Sequence, residues 1–309
     1  MTRLLLMNVD KVGDSMHWTI EKEQEGMLVR DYLISVRAFS RRMLKVIKVE
    51  GAILLNEVPV TVRAKVQVGD KLEITFPEER KGEWLKPEPV PLEIVYEDED
   101  VIVLDKQPGV PVIPSRQHHG GTIANGLIHY YEKNKLTFTV HIVTRLDRDT
   151  SGLVLIAKHR FSHSLLSITQ KEGNVKRSYT AVVTGKLLEK TSTIDEPIGR
   201  KPTSIIEREV REDGQRAVTH YNVEQENEQF SVVKVLLETG RTHQIRVHFS
   251  YLGHPLLGDD LYGGSLDRIT RQALHCHKLS FLHPFKEEWI HLQSEIPRDI
   301  ELLINSYSD

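Results

Sequence analysis

Beyond residue 90, short strand-like runs follow one another at hairpin-length spacing, and that rhythm constrains the fold more than any other feature of the chain. Leu92 to Tyr96 and Val101 to Asp105 flank the acidic turn Glu97-Asp-Glu-Asp100. Gly152 to Lys158, Ser178 to Thr184, Phe230 to Glu238 and Leu279 to Leu282 are further runs rich in β-branched and apolar residues. Helical spacing stands out at about Thr122 to Lys133, Phe161 to Lys171 and Thr242 to Leu252. Hairpin-length connections outnumber strand-helix-strand units. The pattern therefore predicts an α+β fold, a mixed and mainly antiparallel sheet carrying helices, over a doubly wound parallel sheet.

The amino-terminal part reads differently. Between Asp31 and Glu50 there is no acidic residue, whereas Arg37, Arg41, Arg42, Lys45 and Lys48 all fall there. With Ser40 as N-cap, Arg41, Lys45 and Lys48 recur at helical spacing, and Met43, Val46 and Ile47 take the opposite face. Gly51 ends that helix, and Ala52 to Asn56 and Lys71 to Phe76 read as strands, the second entered through a Val-Gly-Asp turn. From Lys81 to Pro91 the chain is rich in Pro, Glu and Lys without periodicity, as an interdomain linker would be. The expected division is a small domain over 1–80, a linker over 81–91 and a larger domain over 92–309.

Bulk charge does not announce a partner, since 41 basic against 44 acidic residues leave a formal charge of -3. One cysteine, Cys276, excludes an internal disulfide, and the apolar run Leu4 to Met7 is too short for a signal segment or a membrane span. A cytoplasmic protein with no membrane partner and no obligate protein partner is expected.

Three segments concentrate reactive groups. Thr144-Arg-Leu-Asp-Arg-Asp-Thr-Ser-Gly-Leu153 is a polar turn between apolar runs, a place where Asp147 and Asp149 either bond their own backbone or present a carboxylate. Glu238-Thr-Gly-Arg-Thr-His-Gln-Ile-Arg-Val-His248 joins a strand to a helix, expected to be capped by Thr242 and buried along Ile245, Phe249 and Leu252. Its density of donors suits an anion. Lys176-Arg-Ser-Tyr179 opens an apolar strand, where Tyr179 is either an ordinary half-buried tyrosine or a platform for an unstacked base.

These three segments, in this order, resemble the motifs of the RluA/RluD family of pseudouridine synthases. Asp105-Lys-Gln-Pro-Gly109, Gly253-His-Pro-Leu-Leu-Gly-Asp-Asp260 and Leu274-His-Cys-His-Lys-Leu-Ser-Phe-Leu-His-Pro284 add to the likeness. Residues 17 to 78 resemble the αL RNA-binding domain first described in a small-subunit ribosomal protein, through Val29-Arg-Asp-Tyr-Leu33, Phe39-Ser-Arg-Arg42, Leu54-Leu-Asn56 and Val68-Gly-Asp-Lys-Leu72. The resemblance implies isomerisation of uridine to pseudouridine in structured RNA, ribosomal RNA before transfer RNA. It implies Asp147 as nucleophile, Tyr179 as the base-contacting residue and Arg246 as the basic partner of Asp147. Arg145 is then expected near the extruded nucleotide and Arg241 at a phosphate, with Arg41, Arg42, Lys45 and Lys48 of the first domain on RNA. The sequence departs from the family at Thr144, where histidine is usual, and after Gly109, which is followed by Val-Pro-Val-Ile-Pro-Ser.

The implied chemistry asks for a carboxylate that attacks either the anomeric carbon or ring carbon six, beside a guanidinium that favours its ionised form. No redox or group-transfer step occurs, so no cofactor and no metal is expected. His275 and His277 stand as His-x-His with His283 nearby, but no acidic residue or further cysteine lies at regular ligand spacing. Two rivals are a metal-dependent phosphatase built on Asp147-Arg-Asp149 and Gly258-Asp-Asp260, and a non-catalytic RNA-binding or assembly protein on the same fold.

Overall fold

The computed structural model describes residues 10–12, 15–77, 79, 85–115, 119–286 and 288–305. The amino-terminal part is a five-stranded sheet in the order β1-β2-β5-β3-β4. Its strands are β1 (Asp10–Val12), β2 (Ser15–Thr19), β3 (Ala52–Leu55), β4 (Val58–Pro59) and β5 (Lys71–Thr75). Helices α1 (Val29–Ser35) and α2 (Arg41–Glu50) join it, and Trp18, Tyr32, Leu33, Met43, Ile47 and Leu72 form part of its core. Full burial of such side chains stabilises by about 1.5–3 kcal/mol each before entropy is charged. Ser40 caps α2, its Oγ accepting the Met43 N–H at 3.1 Å, worth about 1 kcal/mol. The expected apolar back of α2 differs by one residue: Leu44 is buried and Val46 only half so.

Ten strands make the larger sheet. In chain order they are β6 (Ile94–Glu97), β7 (Val101–Lys106), β8 (His141–Ile142), β9 (Ser151–Ala157), β10 (Val175–Thr184), β11 (Thr191–Asp195), then β14 (Val218–Glu226), β15 (Phe230–Leu237), β16 (Leu274–Leu282) and β17 (Trp289–Gln293). A separate ribbon pairs β12 (Ile198–Arg200) with β13 (Arg208–Val210). The order across the sheet is β11-β14-β15-β10-β16-β9-β7-β6, with β17 on β16 and β8 on β9. Only β9 and β16 run parallel among its described pairings. The α+β, mainly antiparallel expectation is therefore met. Helices α3 (Ile123–Lys133), α4 (Arg160–Lys171), α5 (Gln244–Tyr251) and α6 (Arg298–Asn305) complete the fold. At the parallel seam Gly152 has φ +108°, and a Cβ there would lie 2.3 Å from the Cys276 carbonyl oxygen. Only glycine permits that approach.

The two parts share more than a linker. Residues 81–84 of the expected linker lie outside the described residues, but Glu88 and Asn125 tie the segment after them to α3: Asn125 Nδ2 donates to the Lys86 carbonyl at 2.8 Å and Glu88 Oε2 accepts the Gly121 N–H at 2.7 Å. Phe161 and Leu165 of α4 belong to the amino-terminal core, with Phe161 4.7 Å from Phe39 and 5.6 Å from Phe76 between ring centroids. Glu79 closes the joint. Its carboxylate accepts from Thr139 Oγ1 at 2.6 Å and the Arg160 N–H at 2.6 Å, and meets His141 Nε2 at 2.7 Å.

Burial alone would raise the Glu79 pKa, but the bonds from His141, Thr139 and Arg160 outweigh it and lower the pKa from 4.5 to about 2. A depressed carboxylate pKa gives stability that is present above the unfolded value and lost as pH falls through the folded one. Glu79→Gln is thus expected to be less stable than the wild type at neutral pH by about 1.5–3 kcal/mol, the gap narrowing from pH 4.5 towards about 2. Urea unfolding of both proteins across that range reads it. A gap that stays constant with pH would show that the Glu79 charge is not what holds the joint.

Candidate active site

The turn 144–150 between β8 and β9 is held from behind by groups far away in sequence. Lys106, only 1% exposed, donates all three ammonium hydrogens to the carbonyls of Gln107, Val110 and Arg148 at 2.9, 3.0 and 2.8 Å. Burial pushes its pKa down to about 7, against the pull of Asp149 and Asp147. Arg271 donates to the Asp149 carbonyl at 3.0 Å and is itself gripped through two bonds to Asp299. Thr144, where the resembling family usually has histidine, is buried, and its Oγ1 accepts the Leu155 N–H at 2.9 Å. That threonine fastens the turn to β9.

So supported, the turn presents Asp147 to Arg246 of α5. Arg246 Nη1 donates to Asp147 Oδ2 at 3.1 Å, while Nε and Nη2 form a two-pronged pair with Asp259, both bonds at 2.7 Å. The Asp259 side chain is wholly buried and that of Asp147 is 26% exposed. Burial works against the Arg246 charge, yet the bonds to Asp259 and the charges of both aspartates hold its pKa above the ordinary value. The Tyr262 ring lies 5.0 Å below the guanidinium and its hydroxyl meets His243 Nδ1 at 2.8 Å. His243 Nε2 stands 3.9 Å from Asp147 Oδ1. Its pKa is lowered by burial despite Asp147, which keeps the ring neutral near pH 7.

Two expectations about α5 need correction. Thr242 is exposed and does not cap it; the cap position belongs to His243, at φ 58° and ψ 20° with no side-chain capping bond. Left-handed backbone at a bulky residue costs on the order of 1–3 kcal/mol and persists where the surroundings enforce it. Here it turns the imidazole towards Asp147. The expected single buried face is also wrong: Gln244 to Phe249 are all buried, Leu252 is exposed, and Arg246 points inward.

Asp147 lines a pocket of about 400 Å³ with Arg145, Arg177, Tyr179, Arg241 and His243. Arg145 and Arg241 are exposed at its rim, Arg241 with its Nε bonded to the Arg216 carbonyl at 2.9 Å. Tyr179, 3% exposed, belongs to the wall, and burial raises its pKa so that the hydroxyl stays protonated. Arg41, Arg42, Lys45 and Lys48 lie elsewhere, exposed on α2.

Residues 100–251 match the family model described as RNA pseudouridylate synthase. The uncharacterized RNA pseudouridine synthase YjbO of Bacillus subtilis is 53% identical over 90% of this chain and 98% of its own. Ribosomal large subunit pseudouridine synthase D of Vibrio parahaemolyticus is 35% identical over 91% of each. The chain belongs to the RNA pseudouridine synthase family. A solved structure, human RNA pseudouridylate synthase domain containing 1, shares the fold at TM-score 0.56 and 24% identity over 71% of this chain and 95% of that one.

As an RNA pseudouridine synthase, the protein is an isomerase acting on RNA. The phosphatase reading falls with the fold, and its second acidic motif falls with Asp259, whose two carboxylate oxygens are taken by Arg246. The histidines are likewise engaged. His275 lies between Ser151 and Ser294, His277 meets Thr180, and His283 finds an acidic partner after all in Asp98, 2.8 Å away but 185 residues distant in sequence. Asp98, Asp100 and His283 bring ligand atoms within 4.8 Å of one another, but Asp98 is spent on His283, Lys286 and the backbone of the 98–101 turn. Of the residues gathered at this candidate site, sequence reasoning missed Asp259, Tyr262 and Lys106. Asp259 and Lys106 sit in motifs that carry the family resemblance, a signal of importance without a role.

Proposed function

We propose that this synthase isomerises uridines of ribosomal RNA in the cytoplasm, with Asp147 as the attacking carboxylate. The Asp259–Arg246–Asp147 chain carries the reading, because a cation anchored to a buried acid holds the Asp147 carboxylate by a 3.1 Å bond at the wall of a pocket. The target base must leave its stack to reach that pocket, and the wall around Tyr179 receives it. Arg145 and Arg241 at the rim meet the neighbouring phosphates. Likeness to ribosomal large subunit pseudouridine synthase D along nearly the whole chain favours ribosomal over transfer RNA as substrate. The amino-terminal sheet and helices supply affinity as an αL-type RNA-binding domain, through Arg41, Arg42, Lys45 and Lys48.

Removal of residues 1–85 would strip Phe161 and Leu165 of their packing, so charge removal is the better test. The variant with all four cations changed to glutamine is expected to bind large-subunit ribosomal RNA more weakly. Its log–log salt slope should be shallower by roughly 0.7–0.9 for each phosphate no longer neutralised, while single-turnover rates at saturation stay near wild type. Pseudouridine mapping of the products, with transfer RNA in parallel, names the substrate. An unchanged salt slope would remove these residues from the RNA interface, and product in transfer RNA alone would overturn the ribosomal assignment.

A further inference from the structure

Arg177 is a buried cation that the site described so far does not use. It lies on β10 two residues before Tyr179, so both side chains take the same face of the strand. It is 8% exposed and lines the pocket of Asp147. Among the described residues it has no carboxylate partner. Its Nε has no hydrogen-bond acceptor, and its Nη1 reaches only the Tyr179 hydroxyl, at a long 3.4 Å. Across the pocket, a Cβ on Gly240 would lie 2.7 Å from Nη2. A largely buried guanidinium with an unpaired Nε and no anion is costly, and such a group at the wall of a reaction pocket is a candidate for use during the reaction.

The pocket sorts its cations by depth. Arg145 and Arg241 are exposed at the rim, where the phosphates that flank an extruded nucleotide remain, whereas Arg177 is buried where the base arrives. Attack of Asp147 on the anomeric carbon breaks the bond to N1 and leaves its electron pair on uracil, shared among N1, O2, O4 and C5. The pair at C5 then forms the new bond to the anomeric carbon as the carboxylate departs, C5 loses its proton and N1 gains one. Attack on ring carbon six instead moves the pair of the C5–C6 double bond towards O4. Both routes place negative charge on O4, and neither needs another reactant.

We infer that Arg177 is a further catalytic residue, donating to uracil O4 and stabilising the charge that the ring takes up. The inference rests on the reading that Asp147 attacks in this pocket. A preorganised donor aimed at developing charge contributes most in a site closed to water. Gly240 leaves room for the guanidinium to take that position.

Single-turnover rates at saturating enzyme, with RNA affinities, test it on Arg177→Met, Arg177→Lys and Gly240→Ala, with Asp147→Asn alongside. Arg177→Met should slow the reaction by roughly 10²–10³-fold with affinity within about twofold. Arg177→Lys should recover part of the loss, and Gly240→Ala, which displaces the guanidinium without removing its charge, should be slowed as well. With 4-thiouridine at the target position, whose sulfur is the weaker acceptor, the wild type should slow and Arg177→Met should change little. Weaker binding at an unchanged rate would make Arg177 a phosphate ligand and overturn the inference, as would equal slowing of both enzymes by 4-thiouridine. Activity in Asp147→Asn would overturn the parent reading of the pocket itself.

Discussion

Asp147→Asn is expected to yield a folded protein whose single-turnover rate falls by on the order of 10⁴-fold or more, the scale on which losing a nucleophile acts. Folding should survive because Arg246 keeps both of its bonds to Asp259 and because the Asp147 side chain is partly exposed. An amide there still fills the space but neither attacks nor carries the charge. Asp149→Asn supplies the contrast within the same turn. Its carboxylate pairs with neighbouring Arg148, which is 52% exposed, a contact worth about 0–1 kcal/mol, and the Asp149 carbonyl that Arg271 holds is untouched by the change. Rates for both variants on one ribosomal RNA transcript, with thermal unfolding as a check on folding, decide the matter. Product from Asp147→Asn together with an inactive Asp149→Asn would transfer the nucleophile to Asp149.

Arg246→Ala should be the most damaging change for stability and activity together. It leaves Asp259 with a wholly buried carboxylate and no cation, and breaking a buried pair in this way costs roughly 3–5 kcal/mol. Asp147 is deprived of its 3.1 Å bond at the same time, and a nucleophile displaced by about 1 Å is slowed on the order of 10²-fold. Arg246→Lys should recover part of the stability and little of the rate. One ammonium replaces the charge, but it cannot hold Asp259 with two parallel bonds while also reaching Asp147. Asp259→Asn combined with Arg246→Ala separates the two effects, since it removes the stranded charge as well. The double variant should be more stable than Arg246→Ala in denaturant unfolding and equally slow. Recovery of activity along with stability would mean that Arg246 serves the fold and not Asp147.

The elements and the segments that form the candidate site were legible in the order of residues alone. Alternating and helical periodicities report which side of each segment is buried, and they yielded α2 with its Ser40 cap, the paired runs β6 and β7, and the mainly antiparallel class. The turn at Asp147 and the donor-rich run to Arg246 stood out because each is a dense local cluster of polar groups between apolar runs. Which of these groups meet was settled by the folded chain. Arg246 reaches Asp147 across 99 positions and Asp259 across 13, pairings that follow from how α5 is enclosed and that no periodicity encodes. The same enclosure defeated the expected one-sided burial of α5: Thr219 and the Glu196 carbonyl bond His248 on one side while Asp259 takes Arg246 on another. A local pattern says that a face is buried when one neighbour covers it, but a helix wrapped on several sides buries polar residues wherever distant segments supply their partners. Phe161 joining the amino-terminal core and Lys106 bracing the turn that carries Asp147 have the same origin. Their energetic role depends on segments brought together by the sheet order, which is a property of the folded chain as a whole.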